Sequence, residues 1–154
     1  MAVTEDRGKH VETMEFETVV IGGGTAGASA AIASAKAGVS TLIVEKMTAL
    51  GGTAVHSLVM PMMASHVEHG AVFHDLEQEL TDRGIRTRDG YSEGLWFSGE
   101  EMAFCLESLF LKYGGKILYD AVLVDAVVAD GQIDSLLVRT STGLVKIKGK
   151  CYVD

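Results

Sequence analysis

The chain has 154 residues, of which 47% are hydrophobic and 22% charged, a balance that suits one domain with a buried core and excludes a disordered chain. Its formal net charge of −8 sets nucleic acid and anionic membrane aside as principal partners, since both repel an acidic surface. Its two cysteines, Cys105 and Cys151, stand at no disulfide or metal spacing, so a reducing, cytoplasmic setting is expected and each thiol reads as a small buried apolar residue.

Residues 1–15 are polar, carry Glu5, Asp6, Glu12 and Glu15, and read as a mobile arm without the apolar segment of a signal peptide. "FETVVIG" follows as a short, nearly continuous apolar strand of the kind buried on both faces of a parallel sheet. "GGGTAGASAAIASAKAG" is a glycine turn leading into an alanine-rich helix, with Gly38 as its C-terminal cap. "STLIVEK" is a second buried strand. The run from Thr18 to Val44 is long enough to suggest a membrane span. It contains Lys36 and a block of glycines, however, and strand–turn–helix–strand accounts for that punctuation. The unit is βαβ, which makes its two strands parallel and adjacent with a right-handed crossover.

Residues 47–70 mix glycine, methionine and histidine with Pro61 and read as a loop, a short helix and a loop. A helix is predicted over 71–83, stopped by Gly84, and an irregular stretch over 85–98. Ser98 and Glu101 form a capping-box pattern for another helix, whose inner face is Met102, Cys105, Leu106, Leu109 and Phe110 and which stops at Gly114–Gly115. "KILYDAVLVDAVVADG" makes one or two strands, and the remainder forms a hairpin around Ser141-Thr142-Gly143 with a closing strand in which Val145 and Ile147 alternate with lysines.

Gly22-x-Gly24-x-x-Gly27 carries the first chemical signal. The pattern follows a predicted strand, opens a predicted helix and is followed by an acid, Glu45, at the end of the next strand, which is the context of a dinucleotide-binding fingerprint. Gly22 makes the tight turn, Gly24 admits a pyrophosphate to the backbone, and Gly27 permits close helix–strand packing. The helix start at Thr25 and Ala26 offers free N–H groups to phosphate. Glu45, with Lys46 beside it, is placed to receive the adenosine ribose hydroxyls. The histidines form a second group. His66 and His69 lack a Cys or acidic partner at zinc spacing beyond Glu68, so no metal is assigned. His56 is the candidate catalytic residue because it follows the Gly51-Gly52-Thr53 segment closely. A structural or solvated imidazole is the alternative reading of it. Met60, Met62 and Met63 read as adaptable packing.

"TVVIGGGTAGASAAIASAKAGVSTLIVEK…LGGTA" resembles the start of FAD-dependent oxidoreductases with a glutathione-reductase-like flavin domain, above all the branch related to succinate dehydrogenase and fumarate reductase flavoproteins. The resemblance implies an α/β, Rossmann-like FAD-binding domain: a parallel sheet with a βαβ unit, an antiparallel hairpin and a partial helical substrate-region insertion. The FAD-binding parts would be residues 16–50 and 115–154, with a flavin-contacting loop and helical insertion at 51–114. It also implies that Gly51, Gly52 and Thr53 let backbone approach the flavin pyrophosphate and ribityl chain, and that Val122 or Leu123 offers backbone hydrogen bonds to adenine.

In that family a small-residue and glycine turn, typically Ala-Thr-Gly-Asp, follows a strand like "CYVD". The expectation is therefore an N-terminal portion whose flavin site and substrate domain are completed by a second polypeptide, from a separate gene or from cleavage of a precursor. A small organic substrate, hydride transfer to or from FAD and an open oligomeric state go with it. Two further readings stand beside this one: a non-catalytic nucleotide-binding or regulatory subunit, and a small NAD-binding protein, the latter disfavoured by Gly51-Gly52.

Overall fold

Val19 and Val20 are neighbours in the chain yet face opposite sides of one strand, and this alternation divides the interior in two. A computed structural model describes residues 12–62, 68–84 and 95–154. In chain order its elements are β1 (Glu12–Ile21), α1 (Thr25–Lys36), β2 (Thr41–Val44), α2 (Thr53–His56), β3 (Pro61–Met62), α3 (Ala71–Asp82), β4 (Leu95–Trp96), α4 (Gly99–Lys112), β5 (Lys116–Leu118), β6 (Val122–Ala129), β7 (Gln132–Thr140) and β8 (Gly143–Val153).

Six strands form one sheet in the order β5-β2-β1-β8-β7-β6. The first four are parallel, and β8, β7 and β6 form an antiparallel meander. β3 and β4 make a separate two-stranded ribbon. The βαβ expectation is met: Thr18 to Ile21 lie in register with Thr41 to Val44. α1 crosses between these strands and buries Ala28, Ala31, Ile32 and Ala35. Three alanines on its inner face bring its backbone close to the sheet. Its end is sharp because Gly38 adopts φ +81° and donates its N–H to the Ala35 carbonyl.

On the helix side, Val20, Ile32, Ile43, Leu50, Leu80, Leu109 and Phe110 share one core with α3 and α4. α3 and α4, from the region 51–114, are therefore packed into the same interior as the βαβ unit. On the other face Val19, Leu42, Val44, Leu136, Val138, Val145 and Ile147 make the second core, between the parallel strands and the meander. The inner face predicted for α4 is buried in full. Cys105 belongs to it, and burial pushes its thiol pKa up, as expected of a packing residue.

Several expectations need correction. The arm ends earlier than residue 15: Glu12–Phe16 are strand, because Val145–Gly149 of β8 supply hydrogen-bonding partners along their whole length. Residues 1–11 lie outside the described residues. Ser98 occupies the N-cap of α4 and its carbonyl accepts the Met102 N–H, but its hydroxyl makes no capping bond. Cys151 is exposed: the alternation of Val145 and Ile147 is not kept to the end of β8, where Tyr152 packs against their core instead. No described helix is long and apolar enough to cross a membrane.

Candidate functional site

β1 ends at Ile21, and the chain must leave the sheet and turn into α1 within a few residues. Gly22 makes that turn with its N–H on the Val44 carbonyl at 2.8 Å. Gly27 then packs α1 directly on the turn: a Cβ there would lie 1.9 Å from the Gly22 carbonyl oxygen. Gly24 is different. Nothing stands within 4 Å of where its Cβ would be, so the backbone faces open space just ahead of the helix. Gly24 is also the N-cap of α1, which has neither a side-chain capping bond nor an acid in its first turn. The exposed start of α1 at Thr25 and Ala26 thus presents N–H groups and the positive end of a twelve-residue helix dipole to that space.

Glu45 follows β2 and is buried to 6% exposure. One carboxylate oxygen accepts the Gly23 N–H at 2.5 Å and the other the Met47 N–H at 2.7 Å. Its backbone is held as well, with its N–H on the Leu118 carbonyl and its carbonyl receiving the Ala121 N–H. The acid therefore fastens the glycine turn to the end of β2 while keeping one edge on a cleft. That cleft, of about 290 Å³, is lined by Gly22, Glu45, Lys46, Val122, Leu123 and Asp154, with Ile21, Val44 and Ala121 beneath. It sits at the carboxyl ends of β1 and β2, and open α/β sheets bind ligands outside the carboxyl ends of their strands. Its volume lies near the lower end of ligand pockets, which run from about 300 to 1,000 Å³, and suits one end of a dinucleotide.

The second glycine segment approaches the first from the other side. The Gly51 N–H donates to the Gly23 carbonyl at 2.8 Å, and the Thr25 hydroxyl donates to the Gly51 carbonyl at 3.4 Å. Gly52, at φ +52°, comes so close that a Cβ would stand 2.9 Å from the Gly24 Cα. Only glycine satisfies both that conformation and that contact. Thr53 then opens α2 and is exposed. At the other end of α2, His56 is exposed, and its Nε2 lies 3.1 Å from the Ala49 carbonyl oxygen. The ring closes the loop from Ala49 to His56 on itself.

The two glycine segments and Glu45, distant in sequence, thus meet at one end of the sheet, with Val122 and Leu123 on the far wall of the cleft. Gly23, Leu50 and Ala121 also belong to this arrangement and were not singled out from the sequence. Gly23 was legible as the central residue of three consecutive glycines. Leu50, wholly buried where a Gly23 side chain would go, and Ala121 carry no sequence signal beyond being apolar. His69 stacks on Phe73 at 3.8 Å, and His66 lies outside the described residues. Among the described residues no three His, Cys, Asp or Glu side chains gather as a metal would require.

A hollow of about 360 Å³ lies midway along β1 and β8, lined by Glu15, Glu17, Asp134, Lys148 and Lys150 among others. Its charges are engaged with one another, Lys150 with Glu17 at 2.9 Å and Lys148 with Asp134 at 4.0 Å. None of its lining residues belongs to the glycine turn or to α1.

The family model described as FAD dependent oxidoreductase matches residues 17–154. The mitochondrial dihydrolipoyl dehydrogenase of Schizosaccharomyces pombe is 37% identical over 71 residues, 46% of this chain and 14% of that protein. The chain thus matches about one-seventh of that relative's length. Among solved structures, THI4 of Thermovibrio ammonificans superposes with a TM-score of 0.67 at 20% identity, over 91% of this chain and 57% of that one. A flavocytochrome c3 fumarate reductase superposes with a TM-score of 0.62 at 19% identity, over 92% of this chain and 33% of that one. At such identities these structures speak to the fold, and the fold they share is that of Rossmann-like flavoproteins.

Proposed function

The chain belongs to the FAD-dependent oxidoreductase family, and from that premise we propose that its glycine turn, Glu45 and double-glycine loop together seat the adenosine and pyrophosphate parts of FAD. One observation carries the reading: the Gly51 N–H reaches the Gly23 carbonyl at 2.8 Å, so both glycine segments border the same open space ahead of α1. The residues present fit the group. Gly24 leaves room where a side chain would intrude, the start of α1 offers amides to phosphate, and Glu45 offers carboxylate edge to ribose hydroxyls. Val122 and Leu123 are placed for adenine, Lys46 borders the adenosine end, and Gly51, Gly52 and Thr53 border the route toward the flavin ring.

FAD supplies two-electron redox chemistry when bound, and the reaction we propose is hydride transfer between a small organic substrate and the flavin. The part of this chain is to bind and orient. Its amides neutralise pyrophosphate charge without lysines, which suits a chain of net charge −8. We assign His56 to closing the 49–56 loop, because its Nε2 is already spent on the Ala49 carbonyl.

A further polypeptide segment, in this proposal a second chain, completes the flavin site and the substrate domain. What supports it is uncovered surface. Lys148–Val153 of β8 pair with β1 alone among the described residues, and Val122, Val124, Val127 and Val128 of β6 are each at least 45% exposed.

The test is to purify the protein natively and record its visible spectrum, its intact masses and its uptake of FAD. The expected result is a yellow protein with flavin absorption and a second, larger polypeptide on denaturing electrophoresis. A folded, colourless protein that takes up no FAD would overturn the cofactor reading, and a flavoprotein made of one polypeptide would overturn the two-chain reading.

A further inference from the structure

β5 and β6 follow each other in the chain with only Tyr119, Asp120 and Ala121 between them, yet they are opposite edges of the six-stranded sheet. Laid flat, six strands would set those edges about 24 Å apart, and the chain from Leu118 to Val122 reaches at most about 14 Å. The sheet therefore curls until its edges meet, enclosing the second core between the parallel strands and the meander. They meet at the cleft. The Glu45 N–H donates to the Leu118 carbonyl at 2.9 Å, and the Glu45 carbonyl accepts the Ala121 N–H at 3.1 Å. The Asp120 N–H reaches the Met47 carbonyl at 3.4 Å. The connection thus wraps around the backbone of the acid assigned to the ribose, and Val122 and Leu123 follow at once as the opposite wall.

We propose that Asp120 is a positioning residue for the adenosine end of the cleft: its left-handed backbone turns β5 into β6 and so sets the Val122–Leu123 wall opposite Glu45. The inference rests on the seat for FAD proposed above. Asp120 stands at φ +49°. Aspartate and asparagine enter that region far more readily than other residues with a side chain, glycine enters it freely, and β-branched residues are outliers there. Asp120 is exposed, so core packing does not account for its place. Its neighbour Ala121 is buried to 1% exposure in the second core, which pins the far side of the turn. With Ala121 in the core and Glu45 bonded at both ends of the connection, the remaining freedom lies in the backbone of Asp120. A residue that resists the left-handed conformation would let the wall drift from the acid, and binding would have to restore the turn.

β6 provides its own control. Asp130, just past its other end, stands at φ +51°, outside the residues that line the cleft. The experiment uses the natively purified protein stripped of its cofactor, with Asp120→Val, Asp120→Ala, Asp120→Gly and Asp130→Val variants. FAD affinity is read by fluorescence titration, and the turn by amide hydrogen exchange at Ala121. Asp120→Val is expected to weaken FAD binding about tenfold, because part of the binding energy goes into restoring the turn. Asp120→Ala should weaken it about fivefold. Asp120→Gly, which loses the carboxylate and keeps the conformation, should stay within about threefold of the wild type. Exchange at Ala121 should quicken in Asp120→Val and not in Asp130→Val, which strains the hairpin equally and should leave affinity unchanged. Should either valine variant fail to fold, Asp120→Ala and Asp130→Ala make the same comparison. If the wild type takes up FAD and the Asp120→Val or Asp120→Ala protein matches it in affinity, this inference alone fails. It also fails if the Asp130 variant reproduces the loss, or if Asp120→Gly binds as weakly as Asp120→Val. If the wild type takes up no FAD, the proposed seat falls and this inference with it.

Discussion

Gly24 and Gly27 belong to one motif and answer to different demands. A methyl group at Gly27 would meet the Gly22 carbonyl at 1.9 Å, backbone against backbone, with no flexible end to yield. At Gly24 it would meet nothing within 4 Å, at an ordinary φ of −65°. Gly27→Ala should therefore destabilise the fold by about 1–3 kcal/mol or more, the usual cost of overpacking. Gly24→Ala should leave the melting temperature of the apoprotein unchanged or slightly raised, since alanine restricts the unfolded chain. The same change should weaken FAD binding by about tenfold or more, because the methyl takes space reserved for ligand. Thermal melts and FAD titrations of the two variants check this, and a Gly24→Ala protein with wild-type affinity would count against the seat. The motif's spacing, and with it the division of roles between Gly24 and Gly27, was readable in the sequence. That a Gly27 methyl would strike the Gly22 carbonyl was not, because that depends on what lies opposite each Cα in space.

Among the elements, α1 joins the βαβ unit to the helices that follow it. Its last turn is tied to α3 and α4 through Lys36, which donates to Asp75 at 2.5 Å, while the Tyr113 hydroxyl donates to the same carboxylate at 3.2 Å. The Lys36 hydrogen bond holds Asp75 below the usual carboxylate range against the opposing effect of burial, with a lesser contribution from Tyr113. The sign follows from linkage: a carboxyl depressed on folding contributes stability above its unfolded value and loses it as pH falls through the folded one. Melting temperatures should thus drop between about pH 4 and pH 2 by more in the wild type than in Asp75→Asn. The difference should shrink at high salt, since the pair is exposed. Equal acid slopes would show that the pair does not contribute. Both helices were legible from periodicity and glycine stops. Their union through residues 39 apart in the chain was not.

Across the whole molecule the uncovered surfaces stand out. Among the described residues β8 is held on both sides from Val145 to Ile147 and by β1 alone beyond it, and Cys151 lies exposed on that open half. An exposed strand edge invites pairing with another polypeptide. If the proposed second chain covers this edge, Cys151 should react readily with a thiol reagent in residues 1–154 expressed alone and slowly in the assembled flavoprotein. Mass spectrometry after timed alkylation measures both rates, and equal rates would place the second chain elsewhere. The expectation that Cys151 is buried fails because the alternation set by Val145 and Ile147 does not continue to the end of β8: its neighbour Tyr152 packs against that core instead.

By itself the sequence determined the βαβ unit, the dinucleotide fingerprint and the family. These are written in local patterns: the period of apolar residues, glycines at turns, and an acid at the end of the next strand. The tertiary structure alone decided that Leu50 fills the place of a Gly23 side chain, that Glu45 holds the glycine turn with one oxygen and Met47 with the other, that β1 begins at Glu12, and that Tyr119 donates to Glu107. Each of these is a contact between segments far apart in the chain. Their geometry is set by how the sheet and helices pack, and no local pattern of residues encodes it.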